Sequence, residues 1–171
     1  MESESASSNR RFKVKEKNKM KQELLKKIEE KSIVVGVVGL GYVGLPLAVE
    51  KAKAGFKTIG FDVQDEKVKL VNEGHNYIGD VVDSDLKELV ENKMLTATTD
   101  FSFVKDVDFV AICVPTPLDA HQQPDISYVK SSTEAISKYL TKGTMVVLES
   151  TTYPGTTEEL IKPILEEGSG L

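Results

Sequence analysis

The sequence predicts an α/β fold: a doubly wound parallel sheet of the Rossmann type with an extra N-terminal helix. Three observations point to it. After Ser32, short β-branched runs alternate with amphipathic helical stretches, an order that calls for right-handed parallel crossovers. Gly39-Leu40-Gly41-Tyr42-Val43-Gly44 sits between the first strand and the first helix of that series, where a dinucleotide fingerprint belongs. An acidic residue, Asp62, ends the second strand 18 residues beyond Gly44.

Residues 1–32 stand apart from the rest. Met1–Asn9 is rich in Ser and Glu and is expected to be disordered. Phe12–Lys31 is dominated by Lys, Glu, Gln, Leu and Met, with Leu24, Leu25 and Ile28 as a narrow apolar stripe. That pattern predicts one amphipathic helix. Whether it packs on the domain, on a second subunit or on further chain is left open by its residues.

Residues 33–171 form the second unit. Ile33–Val38 is a nearly continuous β-branched run, as a strand covered on both faces requires. Leu45–Ala54 is a helix with Leu45, Ala48, Val49 and Ala52 on one side. Lys57–Phe61 is the second strand, Glu66–Asn72 a helix, and Leu86, Leu89 and Val90 mark another. Leu95–Thr98 is a short strand, after which Asp100 caps a helical turn through Val104. Val107–Val114 is a strongly apolar strand, Ile126–Leu140 a helix and Thr144–Leu148 a strand. Thr156–Leu165 closes the series as a helix bent by Pro163.

Composition narrows the function classes. The chain has 171 residues, 40% of them hydrophobic, enough for one ordinary core. No apolar run approaches the roughly 20 residues of a membrane span. The polar start lacks the apolar core of a secretion signal, so a cytoplasmic protein is expected. Residues 1–32 carry 10 basic and 6 acidic side chains; residues 33–171 carry 12 and 21. An acidic body argues against broad nucleic-acid binding, and the short basic stretch reads as a solvated helix before a polyanion site. Cys113 is the single cysteine, so neither an internal disulfide nor a multi-cysteine metal site is expected.

Each candidate site falls where a strand ends. Gly39 permits the tight turn, Gly41 lets a pyrophosphate approach the backbone, and Gly44 lets the helix lie close to the strand. N–H groups near Tyr42 and Val43 then face the phosphates, aided by the helix dipole. Asp62 can accept hydrogen bonds from both hydroxyls of the adenosine ribose, which favours NAD over the 2′-phosphorylated cofactor. Its alternative role is a helix cap before Gln64–Lys67. Lys67, about one helical turn on, neighbours the adenosine end. Cys113-Val114-Pro115-Thr116-Pro117 leaves the fourth strand with prolines that make a rigid wall for a flat ribose or nicotinamide; a plain strand exit is the other reading. Glu149–Thr157 places several hydroxyls at the same edge. There, Thr156 or Thr157 could serve only as a helix cap, and Glu149 as a general base or a structural carboxylate.

Together, Gly39–Gly44, Asp62, Val114-Pro115-Thr116-Pro117 and Glu149-Ser150-Thr151 resemble the N-terminal domain of the UDP-glucose/GDP-mannose dehydrogenases over Ile33–Leu171. Pro124-Asp125-Ile126-Ser127-Tyr128-Val129 and Asn76-Tyr77-Ile78 resemble the UDP-N-acetylglucosamine 6-dehydrogenase branch most. The resemblance implies oxidation of a UDP-sugar C6 alcohol to the uronic acid, with two NAD reduced and a cysteine holding the intermediate. It implies cofactor contacts at Val43, Asp62, Lys67, Thr116, Thr151 and Thr157, with Thr151 also positioning the catalytic water. The cysteine motif and the sugar-binding domains of that family lie downstream and are absent from these residues. The chain is therefore expected to be the cofactor half of a larger, homo-oligomeric enzyme, inactive alone. A standalone NAD-binding regulatory module is the alternative.

Overall fold

The computed structural model describes residues 2–118 and 122–171. Two units separate, Met1–Ile33 and Val34–Leu171. The first is a helix, α1 (Glu2–Glu29). It includes the stretch expected to be disordered, of which Met1 lies outside the described residues. Once nucleated at Phe12–Lys31, a helix gains one hydrogen bond per residue added, and that gain offsets the modest propensity of serine.

The second unit is a five-stranded parallel sheet in the order β3-β2-β1-β4-β5. Its strands are β1 (Val34–Val38), β2 (Lys57–Phe61), β3 (Leu95–Thr98), β4 (Phe109–Ile112) and β5 (Met145–Leu148). The helices are α2 (Gly44–Lys53), α3 (Asp65–Asn72), α4 (Asp83–Glu91), α5 (Ser127–Ser137) and α6 (Lys162–Ser169). The chain winds outward from β1 to β3, then returns to lay β4 on the other side of β1. This is the doubly wound arrangement expected, and its switch point lies between β1 and β4. Val38 is level with Phe61 in β2 and Ile112 in β4, so three strand ends meet at one height.

Helix α2 packs on β1 and β2, and α5 on β4 and α6. Leu45, Ala48, Val49 and Ala52 are the buried side of α2, as their spacing predicted. A core cluster of Val38, Phe61, Val104, Val107, Val110, Ile112 and Ile136 joins the sheet to α5 and the 3₁₀ turn Phe101–Asp106. Asp100 caps that turn by accepting from the Ser102 N–H at 2.8 Å. The rings of Phe61 and Phe101, 5.6 Å apart, hold it against the end of β2. The edge strand β3 is engaged by Asn72, whose amide donates to the Ala97 carbonyl at 2.9 Å and accepts from its N–H at 2.8 Å.

Three elements of this unit differ from expectation. Helix α5 ends at Ser137, short of the expected Leu140. Strand β4 is shorter than Val107–Val114, running from Phe109 to Ile112; at its start the Asp108 carboxylate accepts the Val34 N–H at 3.0 Å. The segment expected as one α-helix is helical from Thr156 to Ser169, but its first part is a π-helical turn, Thr157–Ile161, that runs directly into α6 with Pro163 in the first turn of α6.

Candidate functional site

A cleft of about 490 Å³ opens where β1, β2 and β4 end. Its wall contains Gly39, Gly41, Tyr42 and Val43 from the loop after β1, Asp62 and Lys67 from the β2 end and α3, and Cys113, Val114 and Pro115 from the β4 exit. Eight of the proposed cofactor residues thus line one space. Tyr77 and Ile78 complete it.

The glycine loop is built by tight contacts. Gly39 has φ +91°, a conformation open to glycine. Its N–H donates to the Phe61 carbonyl at 2.7 Å, and a Cβ there would approach the Cys113 carbonyl oxygen to 2.7 Å. Gly44 is the buried first residue of α2, not part of the cleft wall, and a Cβ on it would overlap the Gly39 carbonyl oxygen. Gly41 is the opposite case: a Cβ there would meet nothing within 4 Å. Tyr42 is 79% exposed and Val43 58%, and their N–H groups find no acceptor among the described residues. The loop therefore presents open space and unpaired donors at the start of a helix, which fits a pyrophosphate.

Asp62 lies beneath the loop, 6% exposed. One carboxylate oxygen accepts the Leu40 N–H at 2.8 Å; the other accepts the Gln64 N–H at 3.0 Å. The Lys67 ammonium stands 3.7 Å from the first of these oxygens. Each oxygen keeps lone-pair capacity for a further donor. Asp62 is not the cap of α3, whose N-cap position is Gln64; it makes the turn before that helix and lines the cleft. Tyr77 was legible only as part of a family pattern. Its hydroxyl donates to the Leu40 carbonyl at 2.7 Å across 37 residues of sequence, and burial, then the charge of Asp62, raises its pKa.

The remaining candidates lie along the same sheet edge, outside the cleft wall. Thr116 is half-buried, and Thr151 and Thr157 are exposed. Ser150 ties the exits of β4 and β5 together by donating to the Val114 carbonyl at 2.7 Å. Thr156 occupies the N-cap position of the last helical segment but makes no side-chain cap bond; its hydroxyl donates back to the Tyr153 carbonyl at 2.7 Å.

Cys113 is buried. Burial, and secondly the charge of Glu149, pushes its thiol up from 9.0 to about 12. The fold thus favours the neutral thiol: this contribution is complete below pH 9.0 and is lost as the pH climbs from there toward 12. Native Cys113 is expected to resist a maleimide at neutral pH and to label fully after unfolding. Rapid labelling of the native chain would show that the β4 exit opens.

Residues 33–171 match the family model for the NAD-binding domain of the UDP-glucose/GDP-mannose dehydrogenase family. The chain belongs to that family. It is 42% identical over 141 residues to the UDP-N-acetyl-D-glucosamine 6-dehydrogenase of Pseudomonas aeruginosa, a match covering 82% of this chain and 32% of that protein. Identity to the CapL protein of Staphylococcus aureus is 41%, covering 80% and 31%. Among solved structures, the NDP-N-acetyl-D-galactosaminuronic acid dehydrogenase of Methanosarcina mazei superposes with a TM-score of 0.76 at 36% identity, covering 86% of this chain and 34% of that one. A ternary complex of GDP-mannose dehydrogenase from Pseudomonas aeruginosa gives 0.75 at 31%, covering 80% and 33%. The chain spans about a third of the length of these relatives. No helix among the described residues is long and apolar enough to cross a membrane.

Proposed function

We propose that this NAD-binding domain serves a nucleotide-sugar 6-dehydrogenase that oxidises the C6 alcohol of a UDP-N-acetylhexosamine to the uronic acid. The observation that carries the cofactor end is the open loop over Gly41 with Asp62 directly below it. The sugar follows from the relatives named for UDP-N-acetylglucosamine and UDP-N-acetylmannosamine.

NAD, when bound, supplies the hydride acceptor. The Tyr42 and Val43 N–H groups hold the pyrophosphate, and Gly39 and Gly44 keep the loop and α2 close enough to do so. Asp62 accepts from the ribose hydroxyls, with Lys67 balancing its charge. Val114 and Pro115 would form a wall beside the nicotinamide half, and Thr116, Thr151 and Thr157 would contact the cofactor along the same sheet edge. Thr151 orients the water that releases the acid. The catalytic cysteine and sugar site come from the other domains of a cytoplasmic, homo-oligomeric enzyme. The unpaired Cys113 suits a reducing compartment.

Calorimetric titration tests the cofactor assignment: NAD is expected to bind and NADP to bind at least tenfold more weakly. Equal affinity would remove Asp62 as the selector. Asp62→Ala is expected to weaken NAD and also to cost about 1–3 kcal/mol of stability, because the buried Leu40 N–H loses its acceptor; denaturant melts read the second effect. Mixed with NAD and UDP-N-acetylglucosamine, the 171-residue chain is expected to form no NADH. NADH formation would show that these residues bind and oxidise the sugar by themselves.

A further inference from the structure

We infer that Tyr77 is a positioning residue for the dinucleotide loop, acting through the main chain of Leu40. The inference rests on the NAD reading above and adds to it a residue outside the glycine motif. Leu40 is the first variable residue of Gly39–Gly44, and it is held on three sides. Its N–H goes to Asp62 at 2.8 Å and its carbonyl to the Tyr77 hydroxyl at 2.7 Å. Its side chain is fully buried and sits against Gly60, where a Cβ would approach it to 2.7 Å. The peptide bond after Leu40 is planar, so fixing its carbonyl fixes the direction of the Gly41 N–H. The far side of Gly41 is tied only through its carbonyl, which accepts the Leu45 N–H at 3.1 Å, and a Cβ on Gly41 would meet nothing within 4 Å.

Tyr77 is itself held in place. Asn76 donates through its amide to the Ile78 and Val81 carbonyls at 2.7 and 2.6 Å, and its side-chain oxygen accepts the Ile78 N–H at 2.8 Å. The turn that carries Tyr77 is thereby stiffened on both sides of the ring. Two segments far apart in sequence, one ending at Asp62 and one centred on Tyr77, clamp opposite ends of a single residue. The clamp sets the loop before the cofactor arrives, which lowers the ordering cost of binding.

Tyr77→Phe removes one hydrogen bond and keeps the ring. Its effect is expected on the phosphate-bearing part of the ligand alone: affinity for NAD and for ADP falls about three- to tenfold, while affinity for adenosine is unchanged. Backbone order at Gly41 and Tyr42 in the free protein, read by nitrogen-15 relaxation, is expected to fall. A purely structural loss would weaken adenosine equally, and that outcome overturns the proposal. So does unchanged affinity for NAD in the variant. Wild-type protein that binds neither NAD nor ADP would instead sink the cofactor reading itself. Asn76→Ala loosens the turn and leaves the Tyr77 hydroxyl present; a smaller loss in the same direction is expected, and no loss for NAD would also overturn the proposal. It serves in place of Tyr77→Phe should that variant fold poorly.

Discussion

Gly44→Ala is expected to destabilise the chain by about 3–5 kcal/mol, the largest effect of any single methyl group in the loop. The added Cβ would overlap the Gly39 carbonyl oxygen and crowd the Cys113 side chain at 3.2 Å. Neither neighbour can yield cheaply. Gly39 is committed to φ +91° and to its hydrogen bond with Phe61, and Cys113 donates its N–H to the Val38 carbonyl at 2.7 Å. Overpacking of this kind costs roughly 1–3 kcal/mol where side chains can shift and more where backbone must move. A small domain holds about 5–15 kcal/mol in total, so the variant would give up a large share of its stability. Urea denaturation measures it, and a midpoint equal to wild type would show that α2 can slide away from the loop.

Gly41→Val is expected to do the reverse. Nothing lies within 4 Å of a Cβ at this position, and Gly41 is not among the positive-φ residues. Stability should stay within about 0.5 kcal/mol, as for a surface change. NAD affinity, however, should fall roughly 30-fold or more, about 2 kcal/mol, because the valine fills the space assigned to the pyrophosphate. The pair separates two roles that look alike in the motif. One glycine is demanded by the protein's own backbone, the other by the ligand. If Gly41→Val binds NAD as tightly as wild type, the pyrophosphate does not cross this loop.

The two variants also show what is local and what is not. The strands, the glycine loop and Asp62 are each written in contiguous residues, because a buried parallel strand needs a β-branched run and a tight strand-to-helix turn needs glycine at set spacings. The fold and the cofactor class therefore follow from the sequence itself. The apolar run Val107–Val114 is longer than strand β4, because hydrophobicity does not show where the regular pairing with β1 begins and stops. Thr156–Leu165 reads as one α-helix, and nothing in its residues shows that Thr157–Ile161 winds as a π-helical turn.

What only the tertiary structure decided is who meets whom across the sheet edge. Tyr77 reaches Leu40 from 37 residues away, and Asp62 reaches the same residue from 22. Neither pairing leaves a periodic trace. Each depends on the crossovers that bring the ends of β1 and β2 side by side and fold the Asn76–Val81 turn over them. Gly41 and Gly44 are the same letter three positions apart; packing makes one an opening for a ligand and the other a contact that admits no further atom.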